Sequence, residues 1–176
     1  MNVPQRIAII GCSGAGKSTL ARRLAPITEL PLIHLDAEFW NAGWVETPKP
    51  QWLAKVKTLV ERDRWIIDGN FGSTQEMVMA AADVVLWLDF SRWRCLFQVA
   101  RRIALNQGKS RPDMGPGCPE KVDWDFFEFI WNFPVVSRPK ILRRASAAGA
   151  EHKLVVLKSP ADVERIVYEW STDANH

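Results

Sequence analysis

Residues 11–18 read Gly-Cys-Ser-Gly-Ala-Gly-Lys-Ser, which fits the pattern G-x-x-x-x-G-K-[ST] at every position. Glycines at this spacing let the backbone wrap so that successive N–H groups point at phosphate oxygens. A helix opening near Lys17 adds its free N–H groups and the positive end of its dipole. Lys17 has the reach to contact β- and γ-phosphates, the Ser18 hydroxyl is placed to ligate Mg²⁺, and Thr19 can add a bond to an α-phosphate. The expected nucleotide-binding set is therefore Gly11, Ser13, Gly14, Ala15, Gly16, Lys17, Ser18 and Thr19.

Phosphoryl chemistry also needs acidic groups, one beside the metal and one near the hydroxyl that receives the phosphoryl group. Asp36, Asp68 and Asp89 each follow an apolar run, and such run ends are where a parallel sheet presents its ligand site. Asp68 precedes Gly69 and is expected on the Mg²⁺ side with Ser18, and Asp36 is expected on the acceptor side. Asp89 is their rival. Neither Asp68 nor Asp89 is followed by a second acid, and no Asn-Lys-x-Asp motif occurs, which argues against a motor ATPase and a GTPase switch. Arginines concentrate in the second half. Arg102, Arg111 and Arg138 flank a Gly/Pro-rich stretch and are expected to meet a transferring phosphoryl group. Trp40, Trp44 and Trp52 follow Asp36 and could line an acceptor pocket or pack a hairpin of helices, whereas Trp65, Trp87 and Trp170 read as core. His34 reads as structural.

These groups need a scaffold. Residues 7–10, 31–35, 65–68, 84–88 and 153–157 are short apolar runs and read as strands. Helical spacing marks 17–25, 50–62, 91–105 and 161–170, with two short helices expected at 126–132 and 138–148. Strands that alternate with helices imply a parallel sheet covered on both faces, an α/β fold. Residues 108–125 read as a loop-rich excursion.

The chain of 176 residues fits one domain, and 47% hydrophobic with 24% charged residues excludes a disordered or membrane-spanning class. Three scattered cysteines make neither a disulfide framework nor a zinc site. Met1 to Arg6 has no signal-peptide layout, so a cytoplasmic protein is expected. A net charge of +3 suits an anionic ligand without pointing to nucleic acid.

The order of phosphate loop, Asp36, Asp68-Gly69 and a late arginine-rich segment resembles the adenylate kinase and shikimate kinase superfamily. More narrowly, His34-Leu-Asp36 with Phe39-Trp40, the run Trp65 to Asn70, Leu88 to Phe90 with Arg92, Trp131 to Phe133 and Arg138-Pro139 resemble the bacterial DNA topology modulation proteins. The resemblance covers nearly the whole chain. It implies a three-layer P-loop NTPase fold with a five-stranded parallel sheet in the order 2-3-1-4-5 and a lid over residues 108–137. It further implies ATP as donor, with Mg²⁺, for a phosphotransferase of the nucleoside- or nucleotide-kinase-like class acting on a small acceptor. Lys17, Asp36, Arg102 and Arg138 would be its catalytic residues. Gln98 stands where related kinases often carry an arginine against adenine. The alternative from the same resemblance is a nucleotide-regulated DNA-binding protein. No reader module for nucleic acid is visible in the sequence, and no membrane partner is expected.

Overall fold

In the computed structural model, residues 4–106, 114, 117–118 and 124–173 are described. The chain begins with strand β1 (Arg6–Gly11), helix α1 (Lys17–Thr28) and strand β2 (Leu32–His34). A short helix α2 (Leu35–Phe39) and a hairpin of β3 (Trp40–Asn41) and β4 (Val45–Glu46) follow. Then come α3 (Lys49–Val60), β5 (Trp65–Asp68), α4 (Gln75–Ala81), β6 (Val84–Leu88) and α5 (Arg92–Asn106). The long α6 (Trp124–Ala147), β7 (Leu154–Leu157) and α7 (Pro160–Asp173) complete it.

Five strands form one parallel sheet in the order β2-β5-β1-β6-β7. Its numerals differ from the expected 2-3-1-4-5 because the chain makes seven strands, and β3 and β4 form a separate two-stranded sheet. β1 lies at the centre, with Ile7 to Ile10 buried from both sides, which is why this run is continuously apolar rather than alternating. In register, Ile9 sits between Asp68 of β5 and Leu86 of β6, so the ends of the three central strands open at one level.

The helices follow their apolar spacing. α3 starts at Pro48, Lys49 and Pro50, where missing N–H groups cost nothing, and buries Trp52, Val56, Leu59 and Val60. α1 and α7 are joined by a bidentate ion pair, Arg23 to Glu164, at 2.7 Å through both nitrogens. The helices expected at 126–132 and 138–148 are one helix. Pro134 and Pro139 lie inside it, and each removes a backbone hydrogen bond. Burial of Ile130, Phe133, Ile141 and Ala145 on the core supplies what those prolines cost, so tertiary packing overrides the local break. Residues 124–137 of the expected lid accordingly belong to this helix, and most of 108–123 lies outside the described residues. No helix among the described residues is long and apolar enough to cross a membrane.

Candidate functional site

A cleft of about 950 Å³ opens beside the carboxyl ends of the central strands, within the range of small-molecule sites. The phosphate loop forms its floor. Gly14 has φ +81°, and a Cβ built there would lie 2.4 Å from the Cys95 carbonyl oxygen, so the loop is wedged against the first turn of α5. Ala15 N–H donates to the Cys12 carbonyl at 3.1 Å and the Lys17 ammonium donates to the same oxygen at 3.1 Å, which closes the loop on itself. Gly16, in the left-handed region, caps α1 without a side-chain hydrogen bond, and the first turn contains no acid. The helix N-terminus therefore faces the cleft with its N–H groups available to an anion.

A second wall comes from elements that the sequence did not reveal. Asp36 is not the last residue of a strand; it lies in the first turn of α2, half-buried and facing the cleft. The β3–β4 hairpin then brings Trp40, Trp44 and Glu46 to the same wall, with the two indoles 5.5 Å apart and inclined by 69°. Gly43 and Trp44 both take positive φ, which makes the tight hairpin turn. The hairpin is tied down by Gly43 N–H to the Gly117 carbonyl (3.0 Å) and by the Cys118 thiol, which donates to the Asn41 carbonyl at 3.2 Å. Trp52 does not join this wall: it is buried against Phe39 and Phe71.

The third wall is α5, from which Arg94, Gln98 and Arg102 project at four-residue steps. Arg102 lies over the Phe126 ring at 5.9 Å and Arg94 over Phe90 at 5.2 Å. Pro160, Val163 and Glu164 of α7 close the cleft near Arg23. Their helix is started by a reciprocal cap, in which Ser159 N–H donates to Asp162 and Asp162 N–H donates to the Ser159 hydroxyl.

Of the residues expected from sequence, Ser13, Gly14, Ala15, Gly16, Lys17, Ser18, Thr19, Asp36 and Arg102 meet in this cleft. Gly11 lies beneath them at the end of β1. Arg138 and Asp68 are not among the lining residues. Arg138 pairs with Asp89 at 2.9 Å and lies over the Trp87 ring at 5.9 Å. Asp68 is 4% exposed and bonded to His34. Arg111 lies outside the described residues. Glu46, Arg94 and Glu164 line the cleft as well, Arg94 being one of the arginines concentrated in the second half. Only Arg94 had a signal, its eight-residue separation from Arg102 along one helix face.

Cys12 of the loop and Cys95 of α5 are buried free thiols. The neighbouring Cys95 and burial push the Cys12 thiol far up, while the neighbouring Cys12 and the charges of Lys17 and Arg94 draw the Cys95 thiol below its ordinary value.

Solved structures share this architecture over almost their full length. A gluconokinase from Sinorhizobium meliloti aligns with TM-score 0.53 at 16% identity, over 98% of this chain and 92% of the other. A shikimate kinase from Acinetobacter baumannii, solved with shikimate, aligns with TM-score 0.56 at 14% identity, over 98% and 95%. A deoxyadenosine kinase from M. mycoides, solved with dCMP and dCDP, aligns with TM-score 0.54 at 13% identity, over 97% and 98%. The fold is that of P-loop kinases. At these identities the likeness is one of fold. No family model matches the chain, and no curated protein matches it by sequence.

The residues of the phosphate loop suit a nucleotide with Mg²⁺. Ser18 offers the cleft a hydroxyl, a hard oxygen donor. That donor set suits Mg²⁺, which keeps water and phosphate oxygens as most of its ligands.

Proposed function

We propose that the protein is an ATP-dependent phosphotransferase that moves the γ-phosphoryl group of ATP onto a hydroxyl of a small acceptor, in the nucleoside- or nucleotide-kinase-like class. The observation that carries this reading is that one cleft joins two chemically different surfaces. An uncapped helix N-terminus with Lys17 forms one, and Asp36 with Trp40, Trp44 and Glu46 forms the other. A pure hydrolase or a nucleotide-gated switch has no need of the second wall.

In this reading the loop N–H groups hold the β- and γ-phosphates, and Lys17 exchanges the Cys12 carbonyl for phosphate oxygens. Ser18 and Asp68 would hold the Mg²⁺ side, Asp68 being buried and bonded to His34. The metal held there would supply charge neutralisation to the phosphate oxygens. Asp36 accepts a hydrogen bond from the acceptor hydroxyl and orients it in line with the phosphoryl group. Arg102 neutralises charge that develops on the transferred group. Arg138 supports this face of the fold through Asp89 rather than by touching the phosphate.

The test is ATP consumption measured against a panel of nucleosides, nucleotides and hydroxylated metabolites beside a control without acceptor. Stimulation by one acceptor class supports transfer. Hydrolysis that ignores every acceptor, together with salt-sensitive DNA binding that changes with ATP, would favour the nucleotide-regulated DNA-binding reading that the topology-modulation resemblance suggests.

A further inference from the structure

Helices α5 and α6 run antiparallel. Trp93 meets Trp131 at 5.0 Å, while Arg102 lies over Phe126. Each helix carries an outward seam in steps of three and four. On α5 it is Trp93, Phe97, Ala100 and Ala104, and on α6 it is Trp131, Val135 and Leu142, with Arg138 turned inward to Asp89. Such spacing is that of helices that pack as a bundle, yet among the described residues this face stays exposed. Trp93 and Phe97 are each 68% exposed and Val135 is 69% exposed, with Trp131 and Leu142 about half exposed. The cleft-lining Arg94, Gln98 and Arg102 project from a different face of α5, so this seam is not part of the nucleotide cleft.

The five large side chains leave roughly 600 Å² of apolar surface in water, at the upper limit of what a monomer shows. Covering them with the flanking alanines and the stems of neighbouring arginines brings the area to about 800 Å² per partner, the size of a stable interface. The charges on α6 indicate what covers it. Val135 and Val136 stand at the middle of this helix; Glu128 precedes them and Arg143 follows. When two copies of α6 cross antiparallel midway between Val135 and Val136, Glu128 of each falls opposite Arg143 of the other. A twofold axis makes the pairing occur twice. Parallel crossing would set like charges together.

We propose that the protein forms a twofold dimer in which the α5–α6 face of one copy packs on the same face of a second, as an antiparallel four-helix bundle.

Sedimentation velocity of the full chain over a micromolar dilution series tests this. The expected result is a species of twice the chain mass that dissociates on dilution. Val135→Arg should give the single-chain mass at every concentration, with an unchanged circular dichroism spectrum and melting temperature because Val135 is exposed. Glu128→Arg should weaken association at least about tenfold, and the exchange Glu128→Arg with Arg143→Glu should restore it to within about threefold. A single-chain mass throughout would overturn the proposal, as would a dimer that survives Val135→Arg or a double exchange no better than its parts. A monomer that sediments with anionic lipid vesicles through Trp93 and Phe97 would likewise overturn it, in favour of a membrane surface.

Discussion

His34 Nδ1 lies 2.5 Å from Asp68 Oδ1, and the two are register partners at the ends of β2 and β5. The contact fixes a buried carboxylate at the level where the central strands open. It also explains why this histidine, on a strand among apolar residues, is structural. Asp68→Ala removes the carboxylate from this buried contact and should cost about 2–3 kcal/mol, read as a lower urea midpoint. Asp68→Asn keeps an acceptor oxygen and should be milder in stability. If Asp68 serves the magnesium side, Asp68→Asn should still weaken MgATP binding about tenfold while leaving metal-free ATP binding unchanged.

Lys17→Ala should reduce kcat/KM by roughly two to three orders of magnitude, as loss of a charged donor at a transferring phosphoryl group does. Its one described hydrogen bond goes to a loop carbonyl, so the melting temperature should move little. Turnover equal to wild type would remove the loop from the mechanism.

Gly14 and Gly43 both have positive φ but differ in surroundings. A Cβ on Gly14 meets the Cys95 carbonyl at 2.4 Å, whereas one on Gly43 meets nothing within 4 Å. Gly43→Ala should therefore cost only the backbone term, about 1 kcal/mol. Gly14→Ala adds a clash with α5 backbone and should cost about 3 kcal/mol or more, with ATP affinity falling as the loop is displaced. Denaturant unfolding of the two variants in parallel separates strain from collision.

Trp44→Ala on the hairpin should raise the acceptor KM by about tenfold and leave the ATP dissociation constant within about twofold, since this indole faces the cleft from the wall opposite α5. Equal losses for both ligands would mean that the hairpin shapes the phosphate site instead.

The thiol pair gives a pH signature. A Cys95 value depressed below its unfolded value adds stability as pH rises towards the ordinary thiol value, and this contribution is lost as pH falls through the depressed value. A Cys12 value raised above the unfolded one acts in the opposite sense, its contribution being lost as pH climbs past the ordinary value. The pair's contribution should therefore peak near pH 9.0, the unperturbed thiol value. Urea midpoints from neutral to alkaline pH, compared with a Cys12→Ser, Cys95→Ser double variant, would show that peak vanish. Lys17→Ala should raise the Cys95 value, because the ammonium charge helps to lower it.

The phosphate loop was legible because its chemistry is local: eight consecutive residues carry the turn, the cation and the hydroxyl. The five sheet strands were legible for a related reason, since a strand buried on both faces must be apolar along its whole length. The α2 helix and the β3–β4 hairpin gave no such signal. They are two to five residues long, too short for a period to show, and α2 is anchored by Leu35 in the core while the hairpin is tied to Gly117 and Cys118 far along the chain. Proline suggested a break in α6 where the core imposes continuity. Residue type marked Asp36, Asp89, Arg102 and Arg138 alike as candidates. Only packing decided that Asp36 and Arg102 share the cleft while Arg138 and Asp89 neutralise each other beside it. Sequence determined which groups could do the chemistry, and tertiary structure decided which of them meet, because a charge acts on whatever lies within a few ångströms of it and chain order does not set that distance.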